Sequence, residues 1–309
     1  MFFVLSGFLI TCILLDSRER TDFYRRFYYR RALRILPAYA LTILIYTIVF
    51  ERNWQFVALT VVYLYNFASL FKVTGGYSVL WSLAVEEQFY LIWPTFIRRC
   101  RISVVAGTAL TIVAICPAAR ALSIHLGYST ADAYTWFVAD ALALGGLIAV
   151  LLRHRDVNTR KIAFAGAGAL LASATAVSIA AAIYRPLTRD TLPGAPLLYT
   201  CASVGSAGLI LLFIASAQGR LRSFVQAAPL RFYGKISYGL YLSHSMVFWT
   251  LDRAWRPATS VNPLLRVCVG LAACTAIAAL SRYTFEEFFL QLKDSSADMA
   301  RRAVIQLDA

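Results

Sequence analysis

The chain has 309 residues, of which 60% are apolar and 15% charged, and its mean hydropathy is +0.64. This composition supplies too little polar surface to cover a soluble globule of that size, so a water-soluble domain is excluded. The net charge of +14 does not indicate nucleic-acid binding, because the basic residues fall in short clusters between apolar segments and not on one continuous face.

Charged and Pro/Gly-rich junctions divide the chain into apolar runs near the length of about 20 residues that crosses a bilayer. We therefore predict an all-α, polytopic transmembrane helix bundle with about nine spans. In chain order the predicted spans are 1–15, 35–50, 79–97, 102–118, 133–152, 162–183, 196–217, 236–251 and 263–282. The six cysteines lie in or beside these runs without metal-type spacing, so we predict no metal site.

Most of the 30 basic residues lie in five junctions between these runs. The clusters occupy 18–34, 98–101, 153–161, 220–235 and 282–302. The positive-inside rule assigns such clusters to the cytoplasm, and the C-terminus with them. Nine spans then require a start outside, yet the apolar run after Met1 has neither the basic region nor the cleavage site of a signal peptide. We interpret this as the loss of a preceding helix.

Residues 54–71 form a further apolar stretch between the clusters at 18–34 and 98–101. A span here would put those two clusters on opposite sides of the membrane. We predict instead an interfacial or re-entrant helix on the outer side, with Trp54, Tyr63 and Tyr65 at headgroup level. The alternative is a tenth span with one basic loop on the outer side.

Polar side chains in three predicted helices are candidate functional groups. Arg31 and Arg34 are three residues apart and share a helical face, where they suit phosphates or a thioester carbonyl, or act only as topology determinants. Glu86 lies about two and a half turns into its span, between Ser82 and Tyr90 at four-residue spacing. A carboxylate at that depth indicates either a structural clamp or a role in the reaction.

A second polar stripe combines Ser237, Tyr241 and His244 on one face of a helix, with Tyr238 on the neighbouring face. Hydroxyl residues in such a stripe more often join membrane helices than catalyse a reaction. Another helix, over 162–183, has small residues at Gly168, Ala172 and Ala176, a spacing that predicts close helix packing.

Four stretches of the chain resemble the signature stretches of the acyltransferase-3 family, in the family's order and at its separations. They are FFVLSGFLIT at 2–11, FYYRRALRILPAY at 27–39, WSLAVEEQFYLIWP at 81–94 and GKISYGLYLSH at 234–244. The resemblance covers almost the whole length, and we predict an N-terminally truncated acyltransferase-3 domain over 1–292 with a cytoplasmic tail over 293–309. It implies about ten membrane helices and an enzyme that moves acyl groups, often acetyl, onto sugars.

The resemblance also implies roles for the candidate residues. Arg31 and Arg34 match the family's RxxR motif and would bind the donor, and Glu86 would lie in the acyl-transfer site. The further substrate-binding candidates are Ser82, Tyr90, Ser237, Tyr238 and Tyr241.

In the family, the catalytic histidine lies on a helix that precedes the FFVLSGFL stretch. This sequence has no residues at that position, so it departs from the family's pattern in its catalytic base. Of His125, His154 and His244, the last lies near a span, and it is the candidate replacement among catalytic residues. A smaller departure is Phe289, where the closing pattern of the family has proline.

We therefore predict a multi-pass acyltransferase of the bacterial inner membrane. It takes an acetyl group from acyl-CoA and transfers it to a sugar hydroxyl of a polysaccharide, lipopolysaccharide or glycolipid. We expect acyl-CoA to be the donor substrate and predict no bound cofactor. Two alternatives remain open. One is a family remnant that folds but does not catalyse, and the other is a small-molecule transporter, which polar stripes in a bundle also permit.

Overall fold

The computed structural model of the chain describes residues 1–127, 134–153, 158–184, 187–188, 191–216, 220–255 and 262–292, with the side chains of 220–222 left aside. Within these ranges the chain is helical and contains no strand, which confirms the all-α prediction. The helices are α1 (Phe2–Asp16), α2 (Phe23–Val49), α3 (Trp54–Val61), α4 (Leu80–Arg99), α5 (Ile102–His125), α6 (Thr135–Arg153), α7 (Thr159–Ile183), α8 (Gly194–Ala215), α9 (Arg220–Val225), α10 (Ala228–Trp255) and α11 (Pro263–Leu280).

Six of these helices are long and apolar enough to cross a membrane: α2, α5, α6, α7, α8 and α11, the last extended as far as Leu292. The chain is thus a multi-pass integral membrane protein. The remaining three predicted spans also coincide with helices, but α1 has only 15 residues. The two others, α4 and α10, do not meet the same criteria of length and apolar composition.

The predicted single helix over 54–71 is wrong in its extent. Helix α3 ends at Val61, Tyr63 has a positive φ of 56°, and a short 3-10 turn follows at Tyr65–Phe67. An eight-residue helix is about 12 Å long and cannot cross a bilayer, so the alternative of a tenth span is not supported. Trp54 is exposed as predicted, whereas Tyr65 is buried inside the protein and does not face headgroups.

The chain forms two compact units, which are described separately. Unit 1 contains Met1–Phe23, Val62–Lys72 and Trp81–Val225. Unit 2 contains Tyr24–Val61, Val73–Leu80 and the described part of Gln226–Ala309.

Unit 1 is held together by close helix packing. Helix α1 packs on α6, α5 on α6, and α7 on α8. A Cβ atom added to Gly166 of α7 would lie 2.8 Å from the carbonyl oxygen of Gly208 on α8, so this contact needs both glycines. Small residues do mediate the contact, but not the predicted ones, because a Cβ at Gly168 would meet open space. The buried stripe of α7 is Gly166, Ser173 and Ala180, with a period of seven residues.

A buried ion pair also lies in unit 1. Arg120 of α5 is fully buried, and its Nη2 donates to Oδ2 of Asp140 on α6 at 2.7 Å and to the hydroxyl of Thr200 on α8 at 3.0 Å. Its Nη1 donates to the carbonyl oxygen of Phe137. A charge in an apolar span is costly unless it is paired, so this cluster fixes the register of three helices.

In unit 2, α10 packs on α11 through Gly239, where an added Cβ would lie 3.2 Å from Cα of Ala278. Helix α11 begins with Asn262 as N-cap, whose Oδ1 accepts from the backbone N–H of Leu264 at 2.9 Å, and with proline at its first position. It ends in a π-helical segment, Ser281–Glu286. Such segments are rare and frequently lie at functional sites.

Candidate active site

Helix α4 presents Ser82, Glu86 and Tyr90 on one face, at the four-residue spacing that the sequence predicts. All three belong to unit 1 and are buried, with 6%, 4% and 2% of their surface exposed. Glu86 is therefore a charged residue on a buried helical face, where its carboxylate needs hydrogen-bond donors.

Two hydroxyl groups supply those donors to Glu86. The Tyr90 hydroxyl, one turn further along α4, donates to Oε1, and the Ser6 hydroxyl of α1 donates to the same oxygen. Both are hydrogen bonds to a carboxylate, the stronger class of such interactions. The arrangement holds two hydroxyl groups around one acidic oxygen, which orients all three side chains.

The approach of α1 to α6 determines where Ser6 lies. A Cβ at Gly7 would overlap the carbonyl oxygen of Leu142, and one at Gly145 would overlap that of Val4, so the two backbones touch. Farther along α1, the hydroxyl of Thr11 accepts a hydrogen bond of 2.8 Å from the indole N–H of Trp93 on α4. Helix α1 is thus held against both neighbours, with the Ser6 hydroxyl directed to Glu86.

The two arginines of α2 belong to unit 2 and differ in their surroundings. Arg31 is half-buried, whereas Arg34 is exposed. Among the residues that the structure describes, Arg34 makes no hydrogen bond or ion pair. Next to it, the carbonyl oxygen of Ile35 accepts a hydrogen bond of 3.1 Å from the hydroxyl of Tyr238 on α10. The structure therefore brings Arg34 and Tyr238 to the same part of unit 2.

Glu286 is a further acidic residue near Arg34, in the π-helical segment at the end of α11. It is buried, its Oε1 accepts from the hydroxyl of Ser281 at 3.0 Å, and Arg34 and Arg282 lie within electrostatic range. Sequence reasoning did not select Glu286. Its signals were an acidic residue at the end of an apolar run, which also fits a simple helix terminus, and its place in YTFEEFF at 283–289, which resembles the closing pattern of the family.

The predicted stripe on α10 divides in the structure. The Tyr241 hydroxyl donates to the carbonyl oxygen of Val79 at 2.7 Å, and the Tyr77 hydroxyl donates to that of Leu242 at 2.7 Å. These two bonds attach residues 77–79 to α10, and burial raises the pKa of Tyr77 from 10 to about 12. Ser237 is exposed and donates to the Gly234 carbonyl oxygen of its own helix at 2.9 Å.

His244 is half-buried, with its Nδ1 2.7 Å from the carbonyl oxygen of Tyr241. A carbonyl oxygen only accepts hydrogen bonds, so Nδ1 carries the proton and Nε2 of the neutral ring is an acceptor. His244 is therefore in the tautomer that a general base at Nε2 requires.

The candidate residues fall into two groups. Ser82, Glu86 and Tyr90 lie in unit 1, together with Ser6, which the site prediction did not include. The members in unit 2 are Arg31, Arg34, Ser237, Tyr238, Tyr241 and His244. The first group is a buried carboxylate with hydroxyl donors, and the second has the exposed guanidinium of Arg34 and the imidazole of His244.

Comparisons with known proteins give the family. The sequence model of the acyltransferase-3 family, described as an acyltransferase domain, matches residues 1–283. The peptidoglycan O-acetyltransferase OatA of Listeria monocytogenes is 30% identical over 322 aligned positions, which cover 91% of this chain and 49% of that protein. The putative peptidoglycan O-acetyltransferase YrhL of Bacillus subtilis is 26% identical, covering 79% of this chain and 43% of that protein.

A shorter match is to the O-acetyltransferase OatA of Staphylococcus aureus, 34% identical over 31% of this chain and 19% of that protein. The chain thus spans about half the length of the first two curated relatives. No solved structure matches it significantly. Because the family model matches nearly the whole chain and agrees with the four signature stretches, this chain belongs to the acyltransferase-3 family, whose enzymes transfer acyl groups.

Proposed function

We propose that this chain is a membrane O-acyltransferase that transfers an acetyl group from acyl-CoA to a sugar hydroxyl of a cell-surface glycan of the peptidoglycan type. Family membership and the names of the two longest-matching relatives support the reaction class and the acceptor class. The observation on which the proposal depends is the buried Glu86 carboxylate with the hydroxyls of Ser6 and Tyr90 donating to it.

In this reaction the acceptor hydroxyl oxygen attacks the thioester carbonyl carbon, an ester C–O bond forms, and the C–S bond breaks. The proton of the hydroxyl passes to a base, and the coenzyme A thiolate takes up a proton. Within the described residues, Nε2 of His244 is our candidate for that base, since its tautomer suits the role.

We assign the donor to α2 in unit 2. The exposed guanidinium of Arg34 suits a phosphate or the developing oxyanion of the thioester, because it is charged at all physiological pH values and makes no hydrogen bond or ion pair with the described residues, although Glu286 lies within electrostatic range. Arg31, three residues earlier, is assigned the same ligand. Tyr238, whose hydroxyl is bonded beside Arg34, is assigned to the wall of the donor site.

The remaining assignments concern orientation and acceptor binding. Glu86 fixes the Ser6 and Tyr90 hydroxyls and is the catalytic carboxylate of the proposal, with Ser82 on the same face. On α10, Ser237 and Tyr241 remain the residues that we propose to contact the substrate. Tyr241 has a second role in our proposal, because its bond to Val79 attaches the segment that precedes α4.

We further propose that the basic segments 18–34 and 98–101 and the C-terminus face the cytoplasm of a bacterial inner membrane, where acyl-CoA is available. The proposed domain is 1–292, and the tail 293–309 lies outside the described residues. Cysteines introduced singly at Glu19 and Lys72 test the sidedness. An impermeant thiol reagent should label the second and not the first in intact cells, and the reverse result would overturn this topology.

The function is tested by substitutions at the native gene locus. Arg34→Gln and Glu86→Gln should each lower ester-linked acetate on purified surface glycans by about tenfold or more, because losing a charge-assisted hydrogen bond costs about 1.5–3 kcal/mol. Mild alkaline release followed by mass spectrometry measures the acetate. Membrane abundance of each variant is measured alongside.

Matched controls are Arg160→Gln, an exposed arginine at the start of α7, and Glu19→Gln, whose side chain is 94% exposed. Both should leave glycan acetylation unchanged. Normal acetylation in the Arg34 and Glu86 variants would remove the site assignment. Normal acetylation in a strain without the gene would remove the proposed function.

A further inference from the structure

A cleft of about 570 Å³ lies in unit 2 where α2 ends and α3 begins. Side chains between Thr47 and Ala58 line it, and none of them belongs to the proposed acyl-transfer residues. The volume is within the roughly 300–1,000 Å³ of small-molecule binding sites. The cleft adjoins the end of a membrane-spanning helix, so a ligand there would have access to lipid.

The charge in this cleft comes from Arg52. Its side chain is exposed and makes no hydrogen bond or ion pair with any residue that the structure describes. The adjacent Glu51 forms no ion pair with Arg52 in the described chain, and its carboxylate instead accepts hydrogen bonds from the backbone N–H of Gly76 at 2.8 Å and from the Tyr46 hydroxyl at 3.1 Å. The cleft therefore has an unpaired positive charge at its rim.

Asn53 gives the cleft a fixed shape without offering free polar atoms. Its Oδ1 accepts from the backbone N–H of Phe56 at 3.1 Å and caps α3, while its Nδ2 donates to the carbonyl oxygen of Thr74 at 3.0 Å. A Cβ added to Gly75 would overlap the Glu51 carboxylate, which shows how closely this loop lies against residues 51–53. The turn that bears Arg52 is thus held from both sides.

The walls of the cleft are mostly apolar. Ile48 is 63% exposed and Trp54 is 76% exposed, so both present large hydrophobic surfaces, and Val57 and Ala58 add to them. The remaining polar side-chain groups of the lining are the indole N–H of exposed Trp54 and the hydroxyl of Thr47, whose oxygen is buried and has no hydrogen-bond partner in the described chain. An apolar wall with an exposed guanidinium and one indole N–H fits an amphiphile with a single anionic group.

We propose that this cleft binds a lipid with a phosphate in its headgroup, with the phosphate at Arg52 and the chain along Ile48 and Trp54. A guanidinium matches the geometry of phosphate, and tryptophan suits the level of the headgroups. A free sugar is disfavoured, because it needs several polar partners and the described cleft offers few. This inference is independent of the acyl-transfer proposal.

Native mass spectrometry of the detergent-purified, delipidated full-length protein tests the proposal. The probes are phosphatidylglycerol, a polyprenyl phosphate, inorganic phosphate, and a glucosyl diacylglycerol that has no phosphate. We expect adducts with one or both lipid phosphates and at least tenfold weaker binding of the phosphate-free lipid. Arg52→Gln should weaken lipid phosphate binding about tenfold or more, because a charge-assisted hydrogen bond is lost.

Three variants separate the parts of the site. Trp54→Ala should weaken the binding of both lipid phosphates. Trp54→Phe should retain most of that binding because an aromatic ring remains, and Arg160→Gln should leave it unchanged. Preference for polyprenyl phosphate would support the proposal with a carrier lipid as occupant, and preference for phosphatidylglycerol would support it with a bulk lipid. Equal binding of the phosphate-free lipid, binding of inorganic phosphate alone, or an Arg52→Gln variant that binds like the parent would overturn it.

Discussion

Arg120 in unit 1 and Arg34 in unit 2 both lie in helices that can span a membrane, yet their surroundings are opposite. Arg120 has no exposed surface and bonds to Asp140, Thr200 and the main chain. Arg34 is exposed and makes no hydrogen bond or ion pair within the described residues. An arginine that is buried beside a counter-ion, as Arg120 is beside Asp140, contributes to structure even though its Nε has no hydrogen-bond partner, whereas the exposed guanidinium of Arg34 is accessible to a ligand.

The same contrast extends to the two units. In unit 1 the polar groups satisfy one another in the interior, as Glu86 does with Ser6 and Tyr90. In unit 2 tyrosine hydroxyls bond to main-chain carbonyls, and the cations Arg34 and Arg52 stay open. Our proposals therefore place the internally paired carboxylate in unit 1 and the proposed sites for anionic ligands in unit 2, where other arginines, such as Arg266 and Arg282, do form ion pairs.

Removing the partner of Arg120 should cause the largest loss of stability. Asp140→Asn leaves a buried charge without its counter-ion, and such a change costs about 3–5 kcal/mol. We expect a lower melting temperature in detergent and less protein in membranes. The matched control is Arg266→Gln, which breaks the exposed pair Asp252–Arg266 and should change the melting temperature little, because exposed ion pairs contribute little to stability.

A double variant that replaces both Arg120 and Asp140 by apolar residues extends this test. Arg120→Met combined with Asp140→Leu removes both charges and should recover much of the stability lost in Asp140→Asn. A single variant Asp140→Asn that melts no lower than Arg266→Gln would show that the buried pair is not a structural element.

A smaller effect is expected at the contact between α1 and α6. Gly145→Ala drives a methyl group into the carbonyl oxygen of Val4, so the helices must separate, at a cost of about 1–3 kcal/mol. Thermal unfolding in detergent measures this cost. Gly168→Ala meets open space and should be neutral or slightly stabilising, because alanine favours a helix more than glycine does. Equal melting temperatures for the two variants would contradict the close approach.

The smallest effect concerns Glu51, outside the spans of unit 2. The backbone N–H of Gly76 lowers the pKa of this carboxyl from 4.5, with the Tyr46 hydroxyl and Asn53 acting in the same direction. A lowered folded pKa means that the stabilisation is present above the ordinary value and is lost as the pH falls through the folded value. Amide-exchange protection of residues 73–77 should therefore decrease below about pH 4.5 in the parent protein.

The substitution Glu51→Gln gives the matching result at neutral pH. It should lower the protection of residues 73–77 at pH 7 and flatten the decrease on acidification, since the charge is gone at every pH. Glu19→Gln serves as the exposed control and should leave both unchanged. A pH profile that is the same in the Glu51 variant and the parent would exclude this carboxylate as the cause.

Several features followed from the sequence because they depend on local pattern. The apolar runs identified helices in all nine predicted positions, and four-residue spacing correctly put Ser82, Glu86 and Tyr90 on one buried face. The local pattern gave a wrong prediction where the packing partner determines which face of a helix is buried. The face of α7 with Gly168 matched a packing motif, yet the helix turns Gly166 toward α8.

The site shows the same division. The sequence identified Glu86 as a charge in apolar surroundings, which is costly wherever the helix lies, and Arg34 as part of a stretch that resembles the family's RxxR motif. Their partners come from helices distant along the chain, and no spacing relates Ser6 to Glu86 or Arg34 to Glu286. Pairing across helices depends on which backbones touch, as at Gly7 and Gly145.

The sequence was sufficient for the membrane setting and the helical class, which follow from composition and from periodicity within single segments. It was also sufficient for the family resemblance and the charged candidates, which rest on motifs in order along the chain and on charges in or beside apolar runs. The tertiary structure was needed to show that Arg120 is buried against Asp140 while Arg34 is exposed. It alone also formed the cleft beside Arg52. These properties depend on the positions of groups remote along the chain, whose contacts arise from packing and not from local preference.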